Sequence, residues 1–545
     1  KSFQTNKGVI VWAVGNHSDQ SWNTDKVHFL AALPELDSDL KGAWITAATV
    51  DIEGPAGNET YHNRYQNCGI TASYCLATDS YGVWTAAYEN MNSGSVDTDN
   101  SSSHYSATTG NSFSAPMISG SVALLSEAFP SLTPKEIASR LFATADNTFF
   151  THDAYTTFSG GIKHGFNFRY GHGIADLYKA LQPITSSMMG NTLLIGDNID
   201  ISAHHSLDST NLSIGSAFGD SFDLALSGEV GYFHDALYGY FPYEASAQVN
   251  SIKKENFNNQ IQIKEIKSSE DDKNSYSILS FTSSKSSDKI DTETFKGATF
   301  FSSSGDHKFF SSFYNPLEIS MGFIPLNNSN ANFVYKDGFG IPFIKDAMNG
   351  LAFGSNYNIS DISNFSIGMF QNENKYEKIN NGISVSYNLN KDNSYSSLMF
   401  GFKNEEESFL SSGGSGAYDL SDAVSPTTFL GLSHSKSISD KIDIIFNGSL
   451  GYTETNIPDQ RLYENVSPII SSSFGTALTV KNFSSDKDNL ILSVSQPHRV
   501  ESGSAHLIIP GYRDRNGDLS FKSKEFSLSP SGREIDIGIT YNIKL

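Results

Sequence analysis

Two hydrophobic rhythms divide the chain. Up to about residue 180, apolar positions come in unbroken runs or at helical spacing. Gly8 to Val14 is an unbroken run, closed by Gly15-Asn16, and Trp44 to Val50 is another, with Asp51 at its end. Such runs predict strands of a parallel sheet covered on both faces. Met117, Ile118, Val122, Leu124, Leu125 and Phe129 then recur with the period of a buried helix, from about Ser112 to Ala128 and stopped by Pro130. Thr133-Pro134-Lys135-Glu136 reads as a capping box with proline in the first turn. Ile137, Ala138, Leu141 and Phe142 form the core stripe of the helix it opens.

From Ser275 onward the period is two. Ile383, Val385, Tyr387 and Leu389 alternate with Gly382, Ser384, Ser386 and Asn388. Ile442, Ile444, Phe446, Gly448, Leu450 and Tyr452 alternate with Asp443, Asn447, Ser449 and Gly451, and Ile535 to Leu545 repeats the pattern. These are half-buried strands separated by Asn/Asp/Ser/Gly turns. A soluble β-sandwich gives the same alternation. Segments of about ten residues and a polar face of Ser, Gly and Asn favour an outer-membrane barrel of roughly twelve strands, apolar face to lipid and small polar face to a lumen. Residues 186–274 carry mixed signals and read as a stem or linker, with Lys253 to Lys273 a solvated connector. The expected division is 1–185, 186–274 and 275–545.

Composition narrows the function. The 545 residues carry a formal net charge of −22, so no basic stripe is available for nucleic acid. No stretch is long and apolar enough for a transmembrane helix. The two cysteines, Cys68 and Cys75, lie amid Asn, Gly, Thr and Ser. They are either two free thiols or a short surface loop oxidised outside the cytosol. Nothing calls for a metal or a cofactor.

The chemistry centres on Gly110-Asn111-Ser112-Phe113-Ser114-Ala115-Pro116. A serine at the mouth of a buried helix sits among unpaired N–H groups, where developing negative charge is favoured. Acyl transfer needs its nucleophile in such a place. The plain alternative is a capping serine. This run resembles the nucleophile segment of the subtilisin-like serine proteases, the subtilases, whose pattern is Gly-Thr-Ser-Phe/Met-x-x-Pro. Asn111 stands where that family has threonine. Val11-Trp12-Ala13-Val14-Gly15-Asn16 looks like the family's strand ending in Ala-Ala-Gly-Asn. Tyr170-Gly171-His172-Gly173-Ile174-Ala175-Asp176 is similar to the segment that leads into the closing helix of that domain.

The resemblance implies roles. Ser112 is the expected nucleophile and Asn16 the oxyanion donor, while Ala13, Val14 and Gly15 form one wall of the pocket for the substrate side chain. Cys68 and Cys75 fall where subtilase autotransporters carry a short disulfide loop. Gln496-Pro497-His498-Arg499-Val500-Glu501-Ser502-Gly503 resembles a Ser-Gln-Pro-Leu-Arg-Val-x-x-Gly segment of related peptidases. His172, between two glycines, reads as a turn or capping residue. His17-Ser18-Asp19 reads as a solvated turn and not as the partners of Ser112. The family orders its triad Asp, His, Ser, so its Asp and His are expected upstream of Lys1, making the chain a fragment.

The expected fold is multidomain: a partial α/β subtilisin-like domain, a stem, and an autotransporter-like antiparallel β-barrel. The expected function is a serine endopeptidase acting on proteins or peptides through an acyl-enzyme at Ser112. Its expected place is the outer membrane or surface of a Gram-negative bacterium. The rival reading is a surface binding or adhesion protein built on an inactive protease scaffold.

Overall fold

The computed structural model describes residues 8–16, 26–86, 105–184, 188–190, 204–251, 260–271, 274–287, 290–314, 317–324, 338–373, 379–457, 462–486, 488–516 and 518–543. The expectations for His17, Ser18 and Asp19 and for Leu545 fall outside these residues. The chain divides into two compact units. The first comprises residues 1–190, 232–243 and 510–521, and the second takes the remainder.

In the first unit, strand β1 (Ile10–Ala13) and strand β3 (Cys75–Asp79) flank the central strand β2 (Trp44–Glu53), all parallel. The first eight residues of β2 are buried, which is why Trp-Ile-Thr-Ala-Ala-Thr-Val shows no alternation. Helix α1 (Asn111–Ala128) lays Ile118, Val122 and Leu125 into a core with Trp44, Ile45 and Leu76. Helix α2 (Pro134–Thr144) adds Ile137, Ala138, Leu141 and Phe142. Its capping box is formed: the Thr133 N–H donates to Glu136 Oε2 at 2.7 Å and the Glu136 N–H to Thr133 Oγ1 at 3.3 Å.

Cys68 and Cys75 form a disulfide with Cα atoms 5.9 Å apart. The loop shows only Ile70 and Ser73 to the surface. Both cysteines are fully buried and pack with Val14, Ala48 and Ala72. The cause is local: Cys75 opens β3, and the Tyr170–Gly173 segment covers it, with the His172 N–H on the Cys75 carbonyl at 2.9 Å. His172 therefore sits in a turn, as expected, but its ring belongs to the core and caps no helix. Its ring lies against Phe142, and its Nε2 is 3.1 Å from the Ser73 carbonyl.

A buried ion pair completes this unit. The Arg140 guanidinium and the Asp235 carboxylate are both inaccessible to solvent. Arg140 Nη1 donates to both carboxylate oxygens at 2.8 and 2.9 Å, and Nε and Nη2 donate to the Ala180 and Gln182 carbonyls. Asp235 also accepts the N–H groups of Ile184, Leu237 and Gly239. Both carboxylate oxygens and all three guanidinium nitrogens thereby have partners, as burial of two charges requires.

The second unit is dominated by an antiparallel sheet of thirteen strands. They are β4 (Gln260–Asp271), β5 (Asn274–Ser287), β6 (Ile290–Ser304), β7 (His307–Phe313), β8 (Leu351–Ser360), β9 (Ser363–Glu373), β10 (Ile379–Lys391), β11 (Ser394–Glu406), β12 (Val424–Ser439), β13 (Ile442–Thr453), β14 (Ile469–Lys481), β15 (Asp488–Ser502) and β16 (Asp536–Ile543). Each pairs with the next. The sheet starts one strand before the change of period at Ser275. Lys264, Glu265 and Lys267 interrupt the alternation of Ile261 and Ile263, so β4 read as a connector.

The burial of this sheet is inverted. On β10, Ile383 and Tyr387 are exposed, whereas Ser384, Ser386 and Asn388 are buried. On β13, Ile444, Phe446, Leu450 and Tyr452 are exposed, and Asp443, Asn447 and Ser449 are buried. A sandwich would bury the apolar face. An outward apolar band with polar residues inside is the pattern of a membrane barrel. No helix among the described residues is long and apolar enough to cross a membrane, which does not bear on crossing by strands.

The inside is not an aqueous lumen along its length. Helix α3 (Leu317–Ser320) and residues 338–344, which lie between β7 and β8, fold inward against the polar face. Near the sheet's last strands, Glu501 accepts from Ser472, Arg499 and Arg533 at 2.6–2.7 Å. Arg499 Nη2 in turn holds the Pro530 carbonyl at 3.1 Å. The Gln496–Gly503 motif thus ties the lead-in to β16 onto β14 and β15.

Residues 204–251 contain ordered elements. Asn211–Ile214 pairs parallel with Val249–Ser251 and antiparallel with Gly413–Ser415, and Ser221–Leu226 is a short helix.

Candidate active site

The site is built where β1 and β2 end and α1 begins. In a parallel sheet, the carboxyl ends of the strands are where ligands bind. Gly15-Asn16 follows β1, and Ser112 is the second residue of α1. The two residues are 96 positions apart in sequence, yet Asn16 Nδ2 donates to Ser112 Oγ at 3.0 Å. Both side chains are exposed. A reactive hydroxyl and a carboxamide donor are therefore side by side and open to a substrate.

The orientation of Asn16 is fixed from behind. Its Oδ1 accepts the Asn111 N–H at 2.8 Å, which turns Nδ2 toward Ser112. Gly110 precedes this contact at φ 150°, and a Cβ there would come within 3.2 Å of Asn16 Oδ1. The close approach of the chain explains the glycine. Asn111 itself is fully buried. Its Oδ1 accepts the Thr49 N–H at 2.6 Å, and its Nδ2 donates to the Gly15 carbonyl and, at 3.4 Å, to the Gln66 carbonyl. One side chain thereby binds the ends of β1 and β2 to the start of α1.

Ser114 extends the same support. Its hydroxyl donates to the Ala48 carbonyl at 2.8 Å and meets Ser80 Oγ at 2.6 Å. Pro116 has no N–H for the Ser112 carbonyl, so the first turn of α1 stays open on that side. The Ser112 N–H, at the second helical position, is one of the donors that a helix leaves without an internal partner.

Of the proposed pocket wall, Ala13 ends β1 and Gly15 is half-buried. Val14 is fully buried in the disulfide cluster, so only its backbone is placed to line a pocket. The disulfide lies directly beneath the strand end that carries Asn16.

Charge is nearby but committed. Asp51, at the end of β2, is gripped by Arg64 Nε at 2.7 Å. Burial raises the Asp79 carboxyl above its usual range against the Tyr81 N–H, and the Asp51 carboxylate adds to the rise. His164 and His172 pair with each other in the core through Nδ1 atoms 3.1 Å apart. Among the described residues, no imidazole or carboxylate hydrogen-bonds to the Ser112 hydroxyl. Asn111, Thr49 and Ser114 escaped sequence reasoning because their roles exist only once β1, β2 and α1 meet.

Residues 2–173 match the Subtilase family. Over 201 residues the chain is 28% identical to the neisserial autotransporter lipoprotein NalP of Neisseria meningitidis serogroup B, strain MC58, and equally to NalP of strain H44/76. The match covers 34% of this chain and 15% of the relatives' length. Among solved structures, the chain is similar to OmpT, an outer membrane protein of Vibrio cholerae, at 8% identity and a TM-score of 0.27. That alignment covers 52% of this chain and 89% of OmpT. A loop-deleted OmpT gives 9% identity and a TM-score of 0.29.

Proposed function

We propose that this chain, whose residues 2–173 are a subtilase-family segment, is the nucleophile-bearing part of a serine endopeptidase held at the outer membrane of a Gram-negative bacterium by its barrel. The observation that carries the reading is the 3.0 Å contact between Asn16 Nδ2 and Ser112 Oγ at the helix mouth. Ser112 Oγ attacks the scissile carbonyl of a peptide. The carbonyl oxygen, now an oxyanion, moves between Asn16 Nδ2 and the Ser112 N–H. Collapse of the tetrahedral intermediate expels the amine and leaves an acyl-enzyme on Ser112, which water hydrolyses. An imidazole supplied from outside the described residues takes the proton from Ser112 and hands it to the leaving amine as the intermediate collapses. The membrane placement is supported by the inverted burial of the sheet and by the autotransporter relatives. Protein or peptide substrates follow from the family.

The test is mapping of a peptidyl phosphonate adduct in outer-membrane fractions, followed by kinetics on a fluorogenic peptide. An adduct on Ser112, lost in Ser112→Ala, is expected. Asn16→Ala should lower kcat about 10²–10³-fold, the range found when the corresponding amide of subtilisin is removed. Turnover unchanged in Ser112→Ala, or no adduct in the full gene product, would instead favour a binding protein on an inactive scaffold.

A further inference from the structure

We infer that the barrel is sealed by its own chain: residues 317–324 and 338–344 are a resident apolar plug, and the second unit is a solute-tight anchor rather than a pore. This inference does not depend on the chemistry at Ser112. An open aqueous lumen leaves inward polar side chains hydrated. Here they are dry, and the reason is an apolar wad. Leu317, Met321, Phe323, Phe339, Ile341 and Phe343 are each 1% exposed or less.

The wall is shaped to receive this segment. A Cβ at Gly451 would overlap Phe343, and one at Gly475 would come within 2.9 Å of Phe339. Glycine at these inward positions is the space that the two rings occupy. The polar wall residues are spent on the segment's backbone. The Met321 carbonyl accepts from Ser366 Oγ at 2.9 Å, Ser386 Oγ at 3.2 Å and Asn388 Nδ2 at 2.9 Å. Asn356 Nδ2 donates to the Ser320 carbonyl at 2.9 Å, Tyr395 to that of Gly322 and Asn447 to that of Phe339. Unmet carbonyls would make an apolar wad costly to bury, and the wall supplies their donors.

The segment also reaches from one part of the wall to another. Ser320 Oγ lies 3.2 Å from Thr299 Oγ1 on β6. Gly338 packs so closely on Ser495 of β15 that a Cβ would stand 2.7 Å from the serine's. Strands β6 to β15 thus wrap around residues 317–324 and 338–344.

The purified chain in planar lipid bilayers tests the inference. Folding is checked by heat-modifiable migration on gels. The wild type should show no conductance steps, and Phe343→Arg, which places a charge in the dry interface, should show them. A second measurement stands if that variant fails to fold. A cysteine in place of Met321 should react with a water-soluble maleimide about a hundredfold more slowly than one in place of the exposed Asp392, as for a site reached only through local opening. Stable open-channel conductance in the wild type would overturn the inference, as would equal labelling rates at the two cysteines.

Discussion

The two units use the same apolar side chains in opposite ways. In the α/β unit, Ile45, Leu76, Ile118 and Leu125 are at 0% exposure. In the barrel, Leu351 is 65% exposed and Leu398 is 50% exposed, while Ser384, Ser386 and Asn388 are at 1%. Apolar burial is favourable only relative to water. In hydrocarbon the outward leucines are already among equals, and the polar groups must turn inward to find partners. Inside or outside is therefore a statement about solvent, and one chain carries both solutions. The α/β unit needs a water-excluding core to hold a polar site at its strand ends. The barrel needs an apolar exterior, and the space left within is filled by its own loop.

The largest expected break in this contrast lies where the α/β core buries both members of an ion pair. Arg140→Ala leaves Asp235 buried and unpaired and should destabilise that unit by about 3–5 kcal/mol. Loss of the denaturation transition seen by tryptophan fluorescence, with the barrel's heat-modifiable migration retained, is the expected outcome. All four tryptophans lie before residue 182, so the signal reports the α/β unit alone.

The next change probes the barrel's outer face. Val385→Arg puts a charge into hydrocarbon and should cost roughly 2–4 kcal/mol near the midplane, read as a lowered unfolding midpoint in lipid vesicles. The inner face is not the permissive surface that an aqueous lumen would offer. Ser386 donates to the Met321 carbonyl, so Ser386→Arg should also destabilise. Tolerance at Ser386 would restore the aqueous lumen.

A graded effect separates the units by pH. Burial, with His164 beside it, pushes His172 down to about 3, and burial lowers His164 as well. In the unfolded chain both titrate near 6.5. Below that pH the unfolded state takes up protons that the folded core refuses, so stability is full above 6.5 and falls toward pH 3. The slope contributed by His172 is about 1.4 kcal/mol per pH unit below 6.5. Urea midpoints followed by tryptophan fluorescence should show it, and His172→Gln should flatten it.

Much of this was legible in the sequence because the deciding signals are local. The unbroken run at Trp44–Val50 announces a strand covered on both faces, and the alternation at Ile383–Leu389 announces which side of β10 meets the apolar phase. The candidate nucleophile Ser112 and its amide neighbour Asn16 were legible for a different reason: both lie at chain reversals whose short motifs resemble a known family. What stayed hidden depends on distant partners. Asn111 looked like a mere departure from a pattern until its side chain was seen to join Gly15, Thr49 and Gln66. The turn at His172 was legible from its flanking glycines, but not that Phe142 and the Ser73 carbonyl hold its ring in the core. The plug was invisible because Leu317 to Phe343 has neither a helical nor a two-residue period. It takes its form from the wall around it.

Quenching of tryptophan fluorescence by bromine-labelled lipid tests the division between a water-facing α/β unit and a lipid-facing barrel most directly. The four native tryptophans belong to the first unit, so wild-type emission should not change when brominated lipid replaces ordinary lipid. A tryptophan in place of Tyr387, on the outward face of β10, should add an emission component that the brominated lipid quenches. Quenching of the native tryptophans with no quenching at position 387 would contradict the account.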